Sequence, residues 1–139
     1  MKLAATVIYV DDVVPILDFY HRAFGLETSF VDLDVQLPGR EPDRKYQFAS
    51  LSTEGGTLQF STHDLGSLLM PEYSRLTIEQ TAGVEIAFYT SDVDGAFHRA
   101  VDAGAMVVAE PAMMPWGQRV GYVRSIEGTF VGLCSPVGE

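Results

Sequence analysis

Glu85 stands in Val84-Glu85-Ile86-Ala87-Phe88-Tyr89, a run that is otherwise apolar. An unpaired carboxylate is costly to bury there, so it either meets a cation, takes up a proton or faces a wet cavity. A desolvated carboxylate in a cleft can also act as a general base on an acidic C–H of a bound molecule, which makes Glu85 the candidate catalytic residue. Few other side chains offer chemistry. Cys134 is the only cysteine, so no intrachain disulfide is possible. Its setting, Val131-Gly132-Leu133-Cys134, predicts a buried strand thiol rather than a nucleophile, because nothing nearby in sequence lowers its pKa. His21 and His98 fall on helical segments, where exposure is ordinary. Arg119 and Arg124 are possible partners for Glu85 or for an anionic ligand, with solvent as the plainer destination of each.

The elements that position these groups occur twice. Leu3 to Asp11 is rich in β-branched and aromatic residues, and Asp11-Asp12 then precede Val13, Ile16, Leu17, Phe19, Tyr20 and Phe24 at helical spacing. The pattern predicts a strand, an aspartate cap and an amphipathic helix that tolerates Pro15 in its first turn and stops at Gly25. About eighty residues on, Val84 to Thr90 predicts a strand, Ser91-Asp92 a cap, and Val93, Phe97, Ala100 and Val101 a helix stopped by Gly104. Three shorter strands follow each helix: Glu27 to Leu33, Tyr46 to Ser52 and Thr57 to Ser61, then Met106 to Ala109, Arg119 to Arg124 and Thr129 to Cys134. Glu54-Gly55-Gly56 and Ile126-Glu127-Gly128 mark hairpins in the two halves. Pro38 to Lys45 reads as a polar loop. Asp64 to Ala82 reads as a linker without clear periodicity, with a short helix around Ile78.

The expectation is therefore one α+β domain over 1–139, with a βαβββ module at about 1–63, a linker at about 64–82 and a second βαβββ module at about 83–139. A four-stranded sheet with one helix has one face uncovered. Two such modules bury more surface by pairing, and their open faces would enclose a cup-shaped cleft.

Composition limits the partners. The 139 residues suffice for one packed core. With 19 acids against 9 Lys and Arg, a formal charge of −10 repels nucleic acid and acidic membranes at long range. An acidic surface also serves solubility by itself. No stretch reaches the roughly 18 apolar residues of a membrane span, and the first residues run into strand-like sequence without a signal-peptide core, so a cytoplasmic protein is expected.

Val10-Asp11-Asp12, Asp18-Phe19-Tyr20 and Phe24-Gly25-Leu26 closely resemble the first module of the vicinal-oxygen-chelate superfamily, which includes glyoxalase I, bleomycin-resistance proteins and extradiol dioxygenases. Ser91-Asp92-Val93, Ala103-Gly104-Ala105, Pro115-Trp116-Gly117-Gln118 and Gly128-Thr129-Phe130 to Pro136 resemble the second. The resemblance covers nearly the whole chain and implies the paired-module glyoxalase/bleomycin-resistance fold. It implies much less about activity, because lyases, isomerases, dioxygenases and metal-free binding proteins share this scaffold.

In metal-dependent members four positions supply ligands, one on the first and one on the last strand of each module. The resemblance transfers them to Ala5, Gln59, Glu85 and Gly132. Ala5 and Gly132 have no donor side chain, and one amide with one carboxylate is a poor site for a transition metal. His63 shares strand parity with Gln59, but four residues of extended chain, ~13 Å, is too far for both to reach one ion. No cofactor is therefore expected, a divalent metal being the alternative. Ser125-Ile126-Glu127-Gly128 also departs from the Asp-Pro-Asp-Gly turn that many relatives carry.

Strand alternation places Ala5, Val7 and Tyr9, and likewise Glu85, Ala87 and Tyr89, on one face, which the resemblance makes the cleft face. Gln59, Ser61, Phe130 and Gly132 would complete its floor. Ile8, Val10, Ile86, Phe88, Val131 and Leu133 would pack under the helices. Pro111 to Gln118, with Met113, Met114 and Trp116, is too apolar for an ordinary loop and should border the cleft or meet a second subunit. The leading expectation is a homodimeric protein resembling the resistance-type binders, holding a small apolar or aromatic molecule through Val7, Tyr9, Gln59, Ser61, Glu85, Tyr89, Trp116 and Phe130. The alternative is an enzyme resembling lactoylglutathione lyase or a dioxygenase. A third possibility is an assembly module with its cleft plugged by aromatic side chains.

Overall fold

The computed structural model describes residues 1–31, 46–75 and 83–137. The first strand, β1 (Thr6–Val10), leads to Asp12, whose extended backbone lets its carboxylate accept from the Val14 amide at 3.1 Å. That bond satisfies one of the free donors at the start of helix α1 (Val13–Phe24). The helix ends on Gly25, at φ 71°, where the backbone favours glycine and its amide donates to the His21 carbonyl. Strands β2 (Glu27–Val31), β3 (Phe48–Ser52) and β4 (Thr57–Thr62) complete a sheet of order β1-β4-β3-β2, with β1 and β4 parallel and the other pairs antiparallel. We call this sheet A.

After helix α2 (His63–Leu69) the arrangement returns as β5 (Glu85–Tyr89), α3 (Val93–Asp102), β6 (Met106–Met113), β7 (Arg119–Arg124) and β8 (Phe130–Cys134). Sheet B has the matching order β5-β8-β7-β6, again with a parallel first pair. The chain is thus α+β, built of two βαβββ modules, and it divides into two compact units that carry one sheet each. Among the described residues no helix is long and apolar enough to cross a membrane.

Several expectations shift. The first strand is shorter than Leu3 to Asp11: its pairing with β4 begins at Thr6, opposite Leu58, and Asp12 beyond its end is committed to capping. The segment read as a linker without clear periodicity holds most of α2, seeded by Thr62, whose hydroxyl accepts from the Leu65 amide at 3.1 Å. Seven residues are too few to show a helical period, so only the cap signalled it. His63 is accordingly a helix residue and not an extension of β4. Ile78, the loop Pro38 to Lys45 and the end of the strand predicted to reach Leu33 lie outside the described residues. Finally, β6 runs on through Pro111 to Met113 where a loop was expected. A proline is tolerated there because β6 is the edge of sheet B and two register irregularities interrupt its pairing with β7.

Each sheet has one face under helix. On sheet A, Ala49, Leu51, Leu58 and Phe60 are buried, and Tyr20 of α1 stands edge-on to Phe60 with ring centroids 4.8 Å apart. On sheet B, Val123, Val131 and Leu133 are buried, and Phe97 of α3 reaches the backbone at Gly121. The alternate residues of both sheets point to the opposite face, which carries the candidate site residues.

Candidate functional site

The parallel register of sheet A sets Val7 opposite Gln59 and Tyr9 opposite Ser61, so all four predicted residues share the face away from α1. Gln59 Nε2 donates to the Ser50 hydroxyl on β3 at 3.4 Å. Val7 is partly exposed, whereas Ser61 is only 4% exposed and its hydroxyl donates to the Thr62 carbonyl at 3.1 Å. Ser61 is thus buried on this face with its hydroxyl engaged locally. Tyr9 is partly covered as well. Its ring lies against Gly66 of α2, so close that a Cβ at Gly66 would stand 2.9 Å from it, and its centroid is 5.0 Å from that of Tyr73. The absence of a side chain at Gly66 is what lets α2 seat on Tyr9.

A polar chain ties this cover down. His63 Nδ1 shares a short hydrogen bond with the Tyr73 hydroxyl, His63 Nε2 lies 3.9 Å from Asp11 Oδ1, and Arg75 reaches Asp11 at 2.7 and 2.8 Å. Burial lowers the His63 pKa, with the Arg75 charge acting in the same direction, while Asp11 and Asp64 pull it up. Because the folded value lies below the unfolded 6.5, the unfolded chain takes up the proton first as pH falls. This stabilising contribution is complete above about pH 6.5 and declines below it. In melting curves between pH 8 and 5, the native chain should therefore lose more stability than His63→Gln. Equal slopes would contradict this origin of the pH dependence.

Sheet B leaves the corresponding face more open. Glu85, Ala87 and Tyr89 alternate on β5 and are exposed, Tyr89 to 71%. The register places Glu85 beside Phe130, Ala87 beside Gly132 and Tyr89 beside Cys134. The β7–β8 hairpin then sets Arg124 opposite Phe130 and Tyr122 opposite Gly132. Ala87 and Gly132 form a low floor, and the Glu85 side chain leans over it. A Cβ at Gly132 would lie 2.9 Å from Glu85 Oε1 and 3.3 Å from the Tyr122 ring. Of the outcomes open to Glu85, the structure selects contact with water: it is exposed and has no salt bridge among the described residues.

The arginines are engaged elsewhere. Arg119 makes a two-pronged pair with Asp94 of α3 at 2.6 and 2.7 Å, which holds the Asp94 carboxyl below its usual range. The Arg124 guanidinium lies 4.8 Å over the Phe130 ring, and its Nε donates to the Gly128 carbonyl. Burial raises the Tyr122 and Cys134 pKa values, and Glu85 adds to both shifts. Cys134 is a buried thiol, as expected. Trp116 lies in the β6–β7 turn, 63% exposed, with its indole N–H donating to Gln118 Oε1 at 2.9 Å. His21 and His98 are exposed, also as expected.

Tyr122 and Arg124 are members of this face that were not among the predicted site residues. Their placement was encoded in the Ile126-Glu127-Gly128 turn, since a tight hairpin fixes which residues pair across it. Tyr73 gave no comparable signal, because only the fold brings it to His63.

The four family ligand positions are a poor fit to a metal on chemical grounds. Ala5 and Gly132 bear no donor, Gln59 offers a neutral amide already bonded to Ser50, and the Glu85 carboxylate lies where a side chain at Gly132 would begin. Among the described residues no group of three or more His, Cys, Asp or Glu converges.

Two βαβββ units with a parallel outer pair in each sheet define a glyoxalase-type fold. The family model of the Glyoxalase/Bleomycin resistance protein/Dioxygenase superfamily matches residues 2–131, and the chain belongs to that superfamily. An uncharacterized protein of Mycobacterium bovis is 34% identical over 130 residues, which are 94% of this chain and 80% of that protein. A glyoxalase-related enzyme from Fulvimarina pelagi superposes with a TM-score of 0.76 at 17% identity, over 97% of this chain and 88% of that one. TioX from a Micromonospora species does so with a TM-score of 0.67 at 23% identity, over 97% and 98%.

Proposed function

We propose that this protein binds a small, partly apolar or aromatic molecule on the open faces of its sheets, without the divalent metal of the metal-dependent members, and that it works as a cytoplasmic homodimer. One observation carries this reading: two of the four ligand positions lack any donor, and the carboxylate at the third lies across the empty fourth. The surroundings suit a binding site. Phe130, Tyr122 and Tyr89 supply aromatic surface, Glu85 and Gln59 supply polar contacts, and apolar faces with a few directed polar groups are the usual makeup of small-molecule sites. The exposed Met106, Val107, Val108 and Met113 on edge strand β6 support the dimer, since an apolar strand edge is a ready pairing surface.

A second reading, catalysis in the manner of the superfamily's lyases, draws support from the exposure of Glu85 beside Tyr122. A carboxylate facing water next to a phenol can move a proton at a bound substrate. Elemental analysis of the purified chain, followed by melting curves with Ni, Zn, Mn and Fe(II), tests the proposal. Less than about 0.1 ion per chain and no rise in melting temperature are expected; stoichiometric retention of one ion would overturn the metal-free reading.

A further inference from the structure

We propose that the open face of sheet B holds the cationic head of a small organic amine, a protonated or quaternary ammonium group, on the solvent side of Glu85 and the Tyr122 ring and in contact with both. This rests on the reading of that face as a small-molecule site and names its ligand class. The floor comes first. Ala87 and Gly132 are neighbours in the register and lack bulk; the Glu85 carboxylate lies over Gly132, Phe130 stands beside it, Tyr122 borders it on β7, and Tyr89 and Cys134 lie at the other end.

Charge then selects the occupant. Glu85 is exposed and without a salt bridge among the described residues, so it presents a negative charge over this floor. Tyr122 and Cys134 remain neutral at ordinary pH, because burial and the nearby carboxylate both oppose their ionisation. The two arginines of β7 are held by other groups: Arg119 is paired with Asp94, and Arg124 lies over the Phe130 ring with its Nε donating to the Gly128 carbonyl. An anion would meet Glu85 and the overall charge of −10, both repulsive.

An inorganic cation fits less well than an organic one. Calcium takes six to eight oxygens and magnesium an octahedral set, whereas this floor offers one carboxylate among aromatic rings and a protonated thiol. An ammonium group needs only one charge contact and tolerates, even prefers, aromatic faces. The sheet already illustrates that preference, with the Arg124 cation seated over Phe130.

Titration of the full chain with benzyltrimethylammonium and, in parallel, with its uncharged isostere neopentylbenzene, followed in amide ¹H–¹⁵N spectra, tests the inference. Shifts centred on Gly132, Tyr122 and Glu85 are expected with the cation, in the millimolar range and weakened by salt. Glu85→Gln should weaken binding roughly fivefold, as loss of one partly exposed charge contact. Tyr122→Leu should weaken it roughly threefold through the ring. Gly132→Ala keeps the charge but crowds the carboxylate, so it should also weaken binding; this holds even if Glu85→Gln proves unfolded by circular dichroism. Equal binding of the neutral probe on this face, or cation binding unchanged in folded Glu85→Gln, overturns the cationic ligand and leaves the small-molecule reading standing. If neither probe shifts this face, the cationic site is overturned and the small-molecule reading falls for sheet B.

Discussion

Phe60→Ala should lower the stability of the chain by about 3–5 kcal/mol, the usual range for emptying a buried aromatic position. Phe60 has no exposed surface, lies on the inner strand β4 and meets Tyr20 of α1 edge-on at 4.8 Å. Truncation removes both the transfer of the ring out of water and the aromatic contact, and neighbours anchored in a sheet and a helix close only part of the gap. That loss is a large share of the roughly 5–15 kcal/mol by which small proteins are stable, and melting should drop by on the order of 10–20 °C. Phe60 sits between Gln59 and Ser61, so the strand that presents the open face of sheet A depends on this buried contact. Thermal melts by circular dichroism, with urea titration for the free energy, measure it. A change under about 1 kcal/mol would mean that Tyr20 does not pack on β4 as described.

Gly121→Val should cost about 1–3 kcal/mol for the opposite reason, overpacking. A Cβ at Gly121 would stand 3.0 Å from Pro111 Cγ and 3.2 Å from the Phe97 ring, before the two further carbons of valine are added. Pro111 and Phe97 are rigid, and their elements pack on β7, so the strand itself must yield. Tyr122 is the next residue and points to the other face, which ties this substitution to the site. A displaced β7 moves the Tyr122 ring relative to Glu85. Urea denaturation should show the loss, and benzyltrimethylammonium should bind more weakly than to the native chain. Gly121→Ala should fall between the two. A valine variant of native stability would show that β7 has room that the geometry denies it.

The two βαβββ modules were legible because their signals are local. Asp12 and Asp92 cap helices through bonds to amides two or three residues away, Gly25 stops α1 with its own backbone, and alternation assigned the faces of β1 and β5 without any partner strand. The hairpin turns likewise fix pairings that extend to Tyr122 and Arg124. Helix α2 escaped because seven residues complete no readable period, and the extension of β6 escaped because Pro111 argues for a loop unless the strand is known to be an edge.

Residue identities alone determined that Ala5 and Gly132 cannot ligate a metal, since no fold supplies a donor to a side chain that has none. Only the tertiary structure decided the rest. The use of Gly132 as a bed for Glu85, the burial of Ser61 and the covering of Tyr9 by Gly66 and Tyr73 all depend on contacts between residues on different strands and helices. Such contacts are set by strand register and helix placement, where a shift of one residue changes which side chains meet. Propensity and spacing act along the chain; the partners of Glu85, Tyr9 and His63 were chosen across it.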